Sequence, residues 1–248
     1  MEWRVIELET HDAYTNMAID HAVSDAVSSG TALPTIRFYK WLPSAVSIGC
    51  FQSMDDEVNI EECQRLGVDA VRRRTGGGAV YHDSKGEITY SVIGPLDAFP
   101  TGIRDSYAMI CGWVIDGLSG LGINAEFAPI NDIVASGKKI SGNAQTRRDG
   151  VLLQHGTVLY DLDVRTMFSV LKISKEKISD KMIKSVEERV TKVRNFTDAS
   201  QDDLYKALMK GFTEGKDYNV GRLSEGENRS AAHLASTIYC TKPWNFSR

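Results

Sequence analysis

The sequence predicts one α/β domain with a small helical lobe toward its C-terminal end. Short runs rich in β-branched and aromatic residues, at 35–41, 45–52, 69–74 and 87–94, read as strands. A longer stretch, 103–121, keeps Ile103, Tyr107, Ile110, Val114, Leu118 and Leu121 on one face and reads as a helix that Gly122 stops. The last third alternates helical patterns at 164–172, 201–214 and 229–239 with charged loops, which is the pattern of a lobe wrapped on the same core. At 248 residues the chain has room for one such domain.

The remaining elements follow from local signals. Residues 15–30 form a helical pattern with Thr15 or Asn16 as the cap and Gly30 as the stop. Leu42-Pro43-Ser44 separates the first two strands. The stretch 127–161 reads as a three-stranded meander, NDIVA, KKISGNAQTR and GVLLQHGTVLYD, with turns at Ser136-Gly137 and Asp149-Gly150. Glycine, glutamate and serine crowd 215–228, which reads as a mobile loop.

Composition narrows the function. No run reaches the roughly 18 apolar residues of a membrane span, and the N-terminus lacks the basic and apolar regions of a signal peptide. A cytoplasmic protein is expected. A net charge of −4 argues against a general nucleic-acid binder. The basic residues are nevertheless clustered, as Arg72-Arg73-Arg74, Lys138-Lys139 and Arg147-Arg148, and such clusters near glycines suit an anionic small molecule. Cys50, Cys63, Cys111 and Cys240 are scattered, with neither a zinc pattern nor a disulfide framework.

Three segments carry chemistry. In RRRTGGGAVYHD (72–83) the three glycines let backbone approach a ligand. Successive N–H groups can form an anion-binding concavity, and the arginines add forked donors. The competing reading is a strand–strand loop with solvated arginines. In NDIVASGKKISG (131–142), a two-residue turn at Ser136-Gly137 pairs Val134 with Lys139 and Asp132 with Ser141. Asp132, Val134, Lys139 and Ser141 then share one face. A lysine and a carboxylate there could hold an acyl-phosphate and Mg²⁺, or form a surface ion pair. In QHGT (154–157), a two-residue turn at Asp149-Gly150 sets Asn143 opposite Gly156 and puts His155 on the face away from Lys139. Either a bulge or a longer loop shifts that register, or His155 is not in the site with Lys139.

Together these segments resemble the lipoate–protein ligase family, within the group that includes biotin ligases and octanoyltransferases. RRRTGGGAVYHD is similar to its glycine-rich signature, NDI and GKKISG to its Asn-Asp and lysine segments, FYKWLPSAVSIGCFQ to an early two-strand segment, and PWNF to the close of the catalytic domain. The resemblance implies a mixed-sheet α/β fold of the biotin/lipoate ligase type, flanked by helices. It implies that Lys139 is catalytic, and that Arg73, Gly78, Ala79, Val80, Tyr81 and Lys139 line ATP or lipoyl-AMP. It further implies that Arg72, Gly76, Gly77, His82, Gly142 and His155 border the lipoyl pocket and that Asp132 helps hold Mg²⁺. The implied substrates are lipoate and ATP. The implied acceptors are lipoyl domains of 2-oxoacid dehydrogenase acyltransferase subunits or the glycine-cleavage H protein.

The branch expected is the ATP-dependent ligase. Octanoyltransferases of this group need a cysteine nucleophile, and neither INAEFAPINDI nor RRDGVLLQHG holds one at the positions those enzymes use. The alternative is an octanoyltransferase drawing on acyl carrier protein, since SGNAQTRRDGVLLQHGTVL is similar to that branch and Cys50 lies in a strand near the pocket. Residues 1–248 are expected to be a catalytic domain alone, with the family's accessory domain absent and supplied, where adenylation needs it, by a separate small protein.

Overall fold

The computed structural model describes residues 1–172 and 180–248, the side chains of 180–183 excepted. In chain order the elements are β1 (Glu2–His11), α1 (Ala13–Ser28), β2 (Thr35–Trp41), β3 (Ala45–Ile48), α2 (Met54–Glu57), α3 (Ile60–Leu66), β4 (Asp69–Arg72), β5 (Val80–His82) and β6 (Glu87–Pro95). There follow α4 (Ile103–Ser119), β7 (Ala125–Ala128), β8 (Asp132–Ala135), β9 (Lys138–Arg148), β10 (Val151–Leu159), α5 (Val164–Val170), α6 (Asp180–Glu187), α7 (Gln201–Thr213), β11 (Asp217–Gly221), α8 (Glu225–Leu234) and α9 (Lys242–Asn245).

Among the described residues, eight strands form one sheet in the order β11-β1-β2-β6-β10-β9-β8-β7, and β4-β3-β5 form a second. The large sheet is mixed, with β1 parallel to both β11 and β2 and the rest antiparallel. One face buries Val5, Phe38, Tyr90 and Val92 against Ile110, Val114 and Leu118 of α4 and Leu204, Leu208 and Phe212 of α7. The other carries Tyr39, Ile93 and Leu153 under Met17, Ile19 and Val23 of α1, with Ala231 and Tyr239 from the tail. A third cluster, with Val46, Ile48, Val58 and Tyr81, backs the small sheet. The tail thus feeds both main cores.

Several elements depart from the sequence expectation. The N-terminal segment is a full strand: Trp3 and Val5 face the core, and the intervening Arg4 is buried in a fork with Glu227, 2.6 and 2.7 Å away. Residues 215–228 are not a loop. Asp217–Gly221 extend the sheet parallel to β1, and Ser224 caps α8 through a capping box with Glu227. Helix α1 is capped by Asp12, which accepts from the Thr15 amide at 2.8 Å. Asn16 is instead buried and accepts from Arg37 at 2.6 Å. Strand β3 stops at Ile48 because the loops cross there: a Cβ on Gly49 would lie 2.1 Å from the Gly77 carbonyl oxygen.

Helices α4 and α7 meet through glycines. A Cβ on Gly211 would come within 2.3 Å of the Trp113 carbonyl oxygen and 2.5 Å of the Gly117 amide nitrogen. In an exposed helix, alanine for glycine stabilises by up to about 1 kcal/mol. At this crossing the sign reverses, and Gly211→Ala is expected to cost about 1–3 kcal/mol, as overpacking does. Urea denaturation checks it, and an unchanged or raised midpoint would show that the helices separate freely.

Candidate active site

The cavity lies between the two sheets and encloses about 300 Å³. The large sheet contributes Trp41, Thr89, Gly142, His155 and Thr157. The small sheet and its loop contribute Ser47, Arg73, Gly77, Gly78, Ala79, Val80, Tyr81 and His82. Leu162, Met167, Leu171 and Val190 close one side with apolar surface, and Lys139 lies on the wall formed by β9. This is the size and character of a small-molecule pocket.

The glycine loop is built on Arg73. Its side chain is buried and has no carboxylate partner among the described residues. Nε donates to Thr75 Oγ1 at 3.1 Å, Nη1 to Ser47 O and Oγ at 3.1 and 3.2 Å, and Nη2 to Gly76 O and Gly78 O at 2.7 and 2.8 Å. Burial pulls its pKa down to about 10, so the group stays charged at neutral pH. With those carbonyls turned toward the guanidinium, the amides of Gly76, Gly77, Gly78 and Ala79 donate to no described residue. Such a run of free N–H groups suits developing negative charge.

Arg72 does not line the cavity, contrary to the sequence expectation. Successive residues of a strand point to opposite faces, so Arg72 turns away and donates to Gln52 O, Trp244 O and Asn245 O at 2.6, 3.0 and 2.9 Å. It clamps the PWNF segment to the turn after β3. Gly76 also stays outside the lining, although its carbonyl accepts from Arg73 as that of Gly78 does. Of the other basic clusters, Lys138 is tied to Glu187 O and Arg147 to the carbonyls of Pro100 and Thr101.

A single bulge settles the register of β8, β9 and β10. Ala135 faces Lys138 and Val134 faces Lys139, but Ile133 then faces Ser141 and Asp132 faces Gly142. The extra residue in β9 flips the strand's faces. Ser141, expected beside Lys139, is buried away from the cavity, and Gly142 takes its place. Asn143 pairs with Gly156 as the turn at Asp149-Gly150 requires, and the flip brings His155 onto the cavity side with Lys139. Lys139 Nζ lies 2.7 Å from Asp132 Oδ1. No group of three potential metal-ligating side chains occurs among the described residues. Asp132 stands as a single carboxylate, engaged by Lys139.

Two hydroxyl–imidazole–carboxylate chains flank Arg73. In the first, Thr75 Oγ1 is 2.7 Å from His155 Nε2, and His155 Nδ1 is 3.4 Å from Asp20 Oδ2. Asp20 also receives Arg37 and Ser91 at 3.1 and 2.8 Å. In the second, Ser47 Oγ is 2.8 Å from His82 Nε2, and His82 Nδ1 is 2.7 Å from Glu87 Oε1. Trp41 stacks on His82 with ring centroids 4.0 Å apart and donates to Thr89, which donates to Glu87. Ser47, Glu87, Asp20 and Arg37 were not singled out in the sequence. For Arg37 a signal existed, a charge inside the otherwise apolar TIRFYKW strand.

Residues 12–213 match the lipoyl protein ligase A/B catalytic domain. The chain belongs to that family. It is 35% identical to octanoyltransferase LipM of Brevibacillus brevis, over 100% of this chain and 99% of that protein, and 35% identical to its counterpart in Kyrpidia tusciae, over 99% of each. Among solved structures, the lipoate protein ligase of an archaeal lipoylation system from Thermoplasma acidophilum superposes with a TM-score of 0.89 at 33% identity, covering 99% of this chain and 96% of that one. A lipoate–protein ligase A bound with ATP gives 0.86 at 32%, covering 99% of both.

These relatives confirm the biotin/lipoate ligase type of mixed α/β fold, and an enzyme of the lipoate ligase and octanoyltransferase group acting in protein lipoylation. They correct the expected ATP-dependent ligase, because the curated relatives aligned end to end are octanoyltransferases. The expectation rested on two segments without cysteine. Absence of a thiol at two points in a sequence does not remove a nucleophile that another element brings to the cavity.

Burial lowers the pKa of His155 from its ordinary 6.5, although the Asp20 hydrogen bond pulls it upward. His21 is lowered to about 4, by burial and then by Arg74. The unfolded chain takes up these protons below about pH 6.5 while the folded chain resists, so stability is full above that pH and falls as pH drops. His155→Asn is expected to show a shallower fall in Tm between about pH 7 and about pH 5. A thermal melt series checks this, and parallel curves would show that His155 is not held neutral.

Proposed function

We propose that this protein is an octanoyltransferase that takes an octanoyl group from an acyl carrier protein thioester and joins it to a lysine of a lipoyl domain. The observation that carries the reading is the cavity: an apolar slot walled by Leu162, Met167, Leu171 and Val190, running beside free loop amides and Lys139. Its full-length similarity to octanoyltransferases supports the same reading. A saturated acyl chain contributes only apolar surface, about 0.8 kcal/mol per buried methylene, and the wall matches it.

The reaction exchanges a thioester for an amide and needs no nucleotide, so it needs no adenylating partner. The free amides of Gly77, Gly78 and Ala79 would stabilise the oxyanion of the tetrahedral intermediate. Lys139, held by Asp132, would add positive charge where the acyl group meets the acceptor amine. Acceptors of this chemistry are lipoyl domains of 2-oxoacid dehydrogenase acyltransferase subunits or the glycine-cleavage H protein. A cytoplasmic setting suits the four unpaired cysteines.

The test is acylation of an apo lipoyl domain read by intact mass, with octanoyl-acyl carrier protein, synthetic octanoyl-AMP, or octanoate with ATP and Mg²⁺ as donors. Modification from the carrier thioester is expected; modification confined to the other two arms would overturn the reading. Lys139→Ala is expected to lower the rate about 10²–10³-fold, as loss of one stabilising donor does. Its fold should persist, since the side chain is 41% exposed. Unaltered turnover would remove Lys139 from the mechanism.

A further inference from the structure

A buried polar chain crosses the large sheet on its α4 side, opposite the cavity. Tyr90 of β6 and Gln154 of β10 are fully buried, and Asn143 of β9 is 5% exposed. Gln145 Nε2 donates to Gln154 Oε1 at 3.0 Å, Gln154 Nε2 to the Tyr90 hydroxyl at 3.0 Å, and that hydroxyl to Asn143 Oδ1 at 2.5 Å. Asn143 Nδ2 then donates to the Asn131 carbonyl oxygen at 2.9 Å. Each side-chain amide is fixed in orientation, because its nitrogen faces an acceptor and its oxygen a donor. Burial pushes the Tyr90 phenol well above its ordinary pKa, so it remains a donor. Such a chain reinforces the sheet wherever it lies; its far end gives it a further use.

That end is the loop leading into Asp132. Asn131 lines the cavity. Two more bonds lock it to β9: the Asn143 amide donates to Asn131 O at 3.1 Å, and Asn131 Nδ2 donates to Asn143 O. Ile130 is 72% exposed and gives the loop no apolar anchor, so these polar bonds hold it. Asp132 follows directly, with Oδ1 2.7 Å from Lys139 Nζ. An ion pair whose lysine and aspartate are 41% and 35% exposed holds neither side chain firmly by itself. The Lys139 backbone is fixed separately, its amide donating to Arg189 O and its carbonyl accepting from the Thr191 amide, both at 2.8 Å. What the loop supplies is the direction of the ammonium.

We propose that Tyr90, Asn143 and Gln154 are positioning residues: they set the Asn131–Asp132 loop and, through Asp132, aim the Lys139 ammonium into the cavity. The use made of that ammonium rests on the acyl-transfer reading above. The Tyr90 hydroxyl is the joint of the chain. Deleting it leaves Asn143 Oδ1 and Gln154 Nε2 without their partner while the ring keeps its packing. The Asn143 amide is then free to turn, and its grip on Asn131 loosens. Gly156 belongs to the same device, since a Cβ there would stand 2.8 Å from Tyr90 Cε1.

The experiment compares Tyr90→Phe and Asn143→Ala with the parent chain, each with and without Lys139→Ala, in octanoyl transfer from acyl carrier protein to an apo lipoyl domain. Each is expected to lower kcat about 2- to 10-fold, the ratio that the net contribution of one hydrogen bond sets, with KM for the donor unchanged. Neither should slow the Lys139→Ala chain further, a coupling that a merely structural role would not produce. Gly211→Ala, strained at a helix crossing away from the cavity, controls for lost stability and should keep the parent kcat. An equal fold-loss with and without Lys139 would overturn the proposal. A second readout needs no acyl transfer: peptide mapping after brief treatment with acetic anhydride. Lys139 is expected to react faster in Tyr90→Phe, toward its rate in Asp132→Asn, while Lys138, bonded to Glu187 O, stays constant. Equal reactivity of Lys139 in Tyr90→Phe and the parent would overturn the proposal. If the parent turns over no thioester, the octanoyltransferase reading falls and the labelling of Lys139 alone decides the positioning role.

Discussion

The buried guanidinium of Arg73 is the constraint on which the site depends. Removing a charge from water costs several kcal/mol, and no carboxylate among the described residues offsets it. The compensation comes from hydrogen bonds to a charged donor, each contributing about 1.5–3 kcal/mol. These bonds join the loop to β3 and to Thr75. The glycines follow from this demand. A loop whose carbonyls converge on one cation must coil tightly, and Gly77 does so at φ 93°. A side chain at Gly77 would also come within 2.9 Å of the guanidinium itself.

The same economy explains the remaining glycines of the site. A Cβ on Gly156 would stand 1.9 Å from Asn143 Oδ1, and one on Gly142 would stand 2.7 Å from Lys139 Cε. Gly156 thus makes room for the amide that ties Asn131 to β9 through paired bonds. Gly142 makes room for the lysine that the bulge has turned inward. The HG and SG dipeptides are therefore packing requirements of neighbouring side chains before they are ligand-binding motifs.

What could be read from the sequence follows the range of the interactions involved. The α4 face, the two hairpin turns and the glycine loop are local patterns, and they were legible. The cap of α1 was misplaced by a few residues because Thr15 and Asn16 are both good caps, while burial recruited Asn16 to Arg37. Strand β1 was overlooked because Arg4 and its neighbouring glutamates look solvated; only Glu227, more than two hundred positions away, makes that arginine a core residue. The bulge at Ile140 left a fainter mark, a glycine inside a strand. It decided whether His155 shared a cavity with Lys139. The alliance of Ser47, His82 and Glu87 had no local mark, since it joins β3, β5 and β6 only after the small sheet has closed on the large one.

The two imidazole chains differ in how their carboxylates are shared. Both receive Arg73 at the hydroxyl and a buried carboxylate at Nδ1. Asp20, however, is shared among Arg37, Ser91, Tyr39 and His155, so its charge is spread over a polar network that ties α1 to β2, β6 and β10. That chain reinforces the sheet beneath the loop. Among the described residues the Glu87 carboxylate receives only Thr89 besides His82, and both imidazoles line the cavity. A carboxylate divided among four donors ties its elements together more firmly than one shared by a single ring and a single hydroxyl. The fold uses one arginine to brace both, so that the framework beneath the loop and the small-sheet wall of the cavity are held in register by the same group.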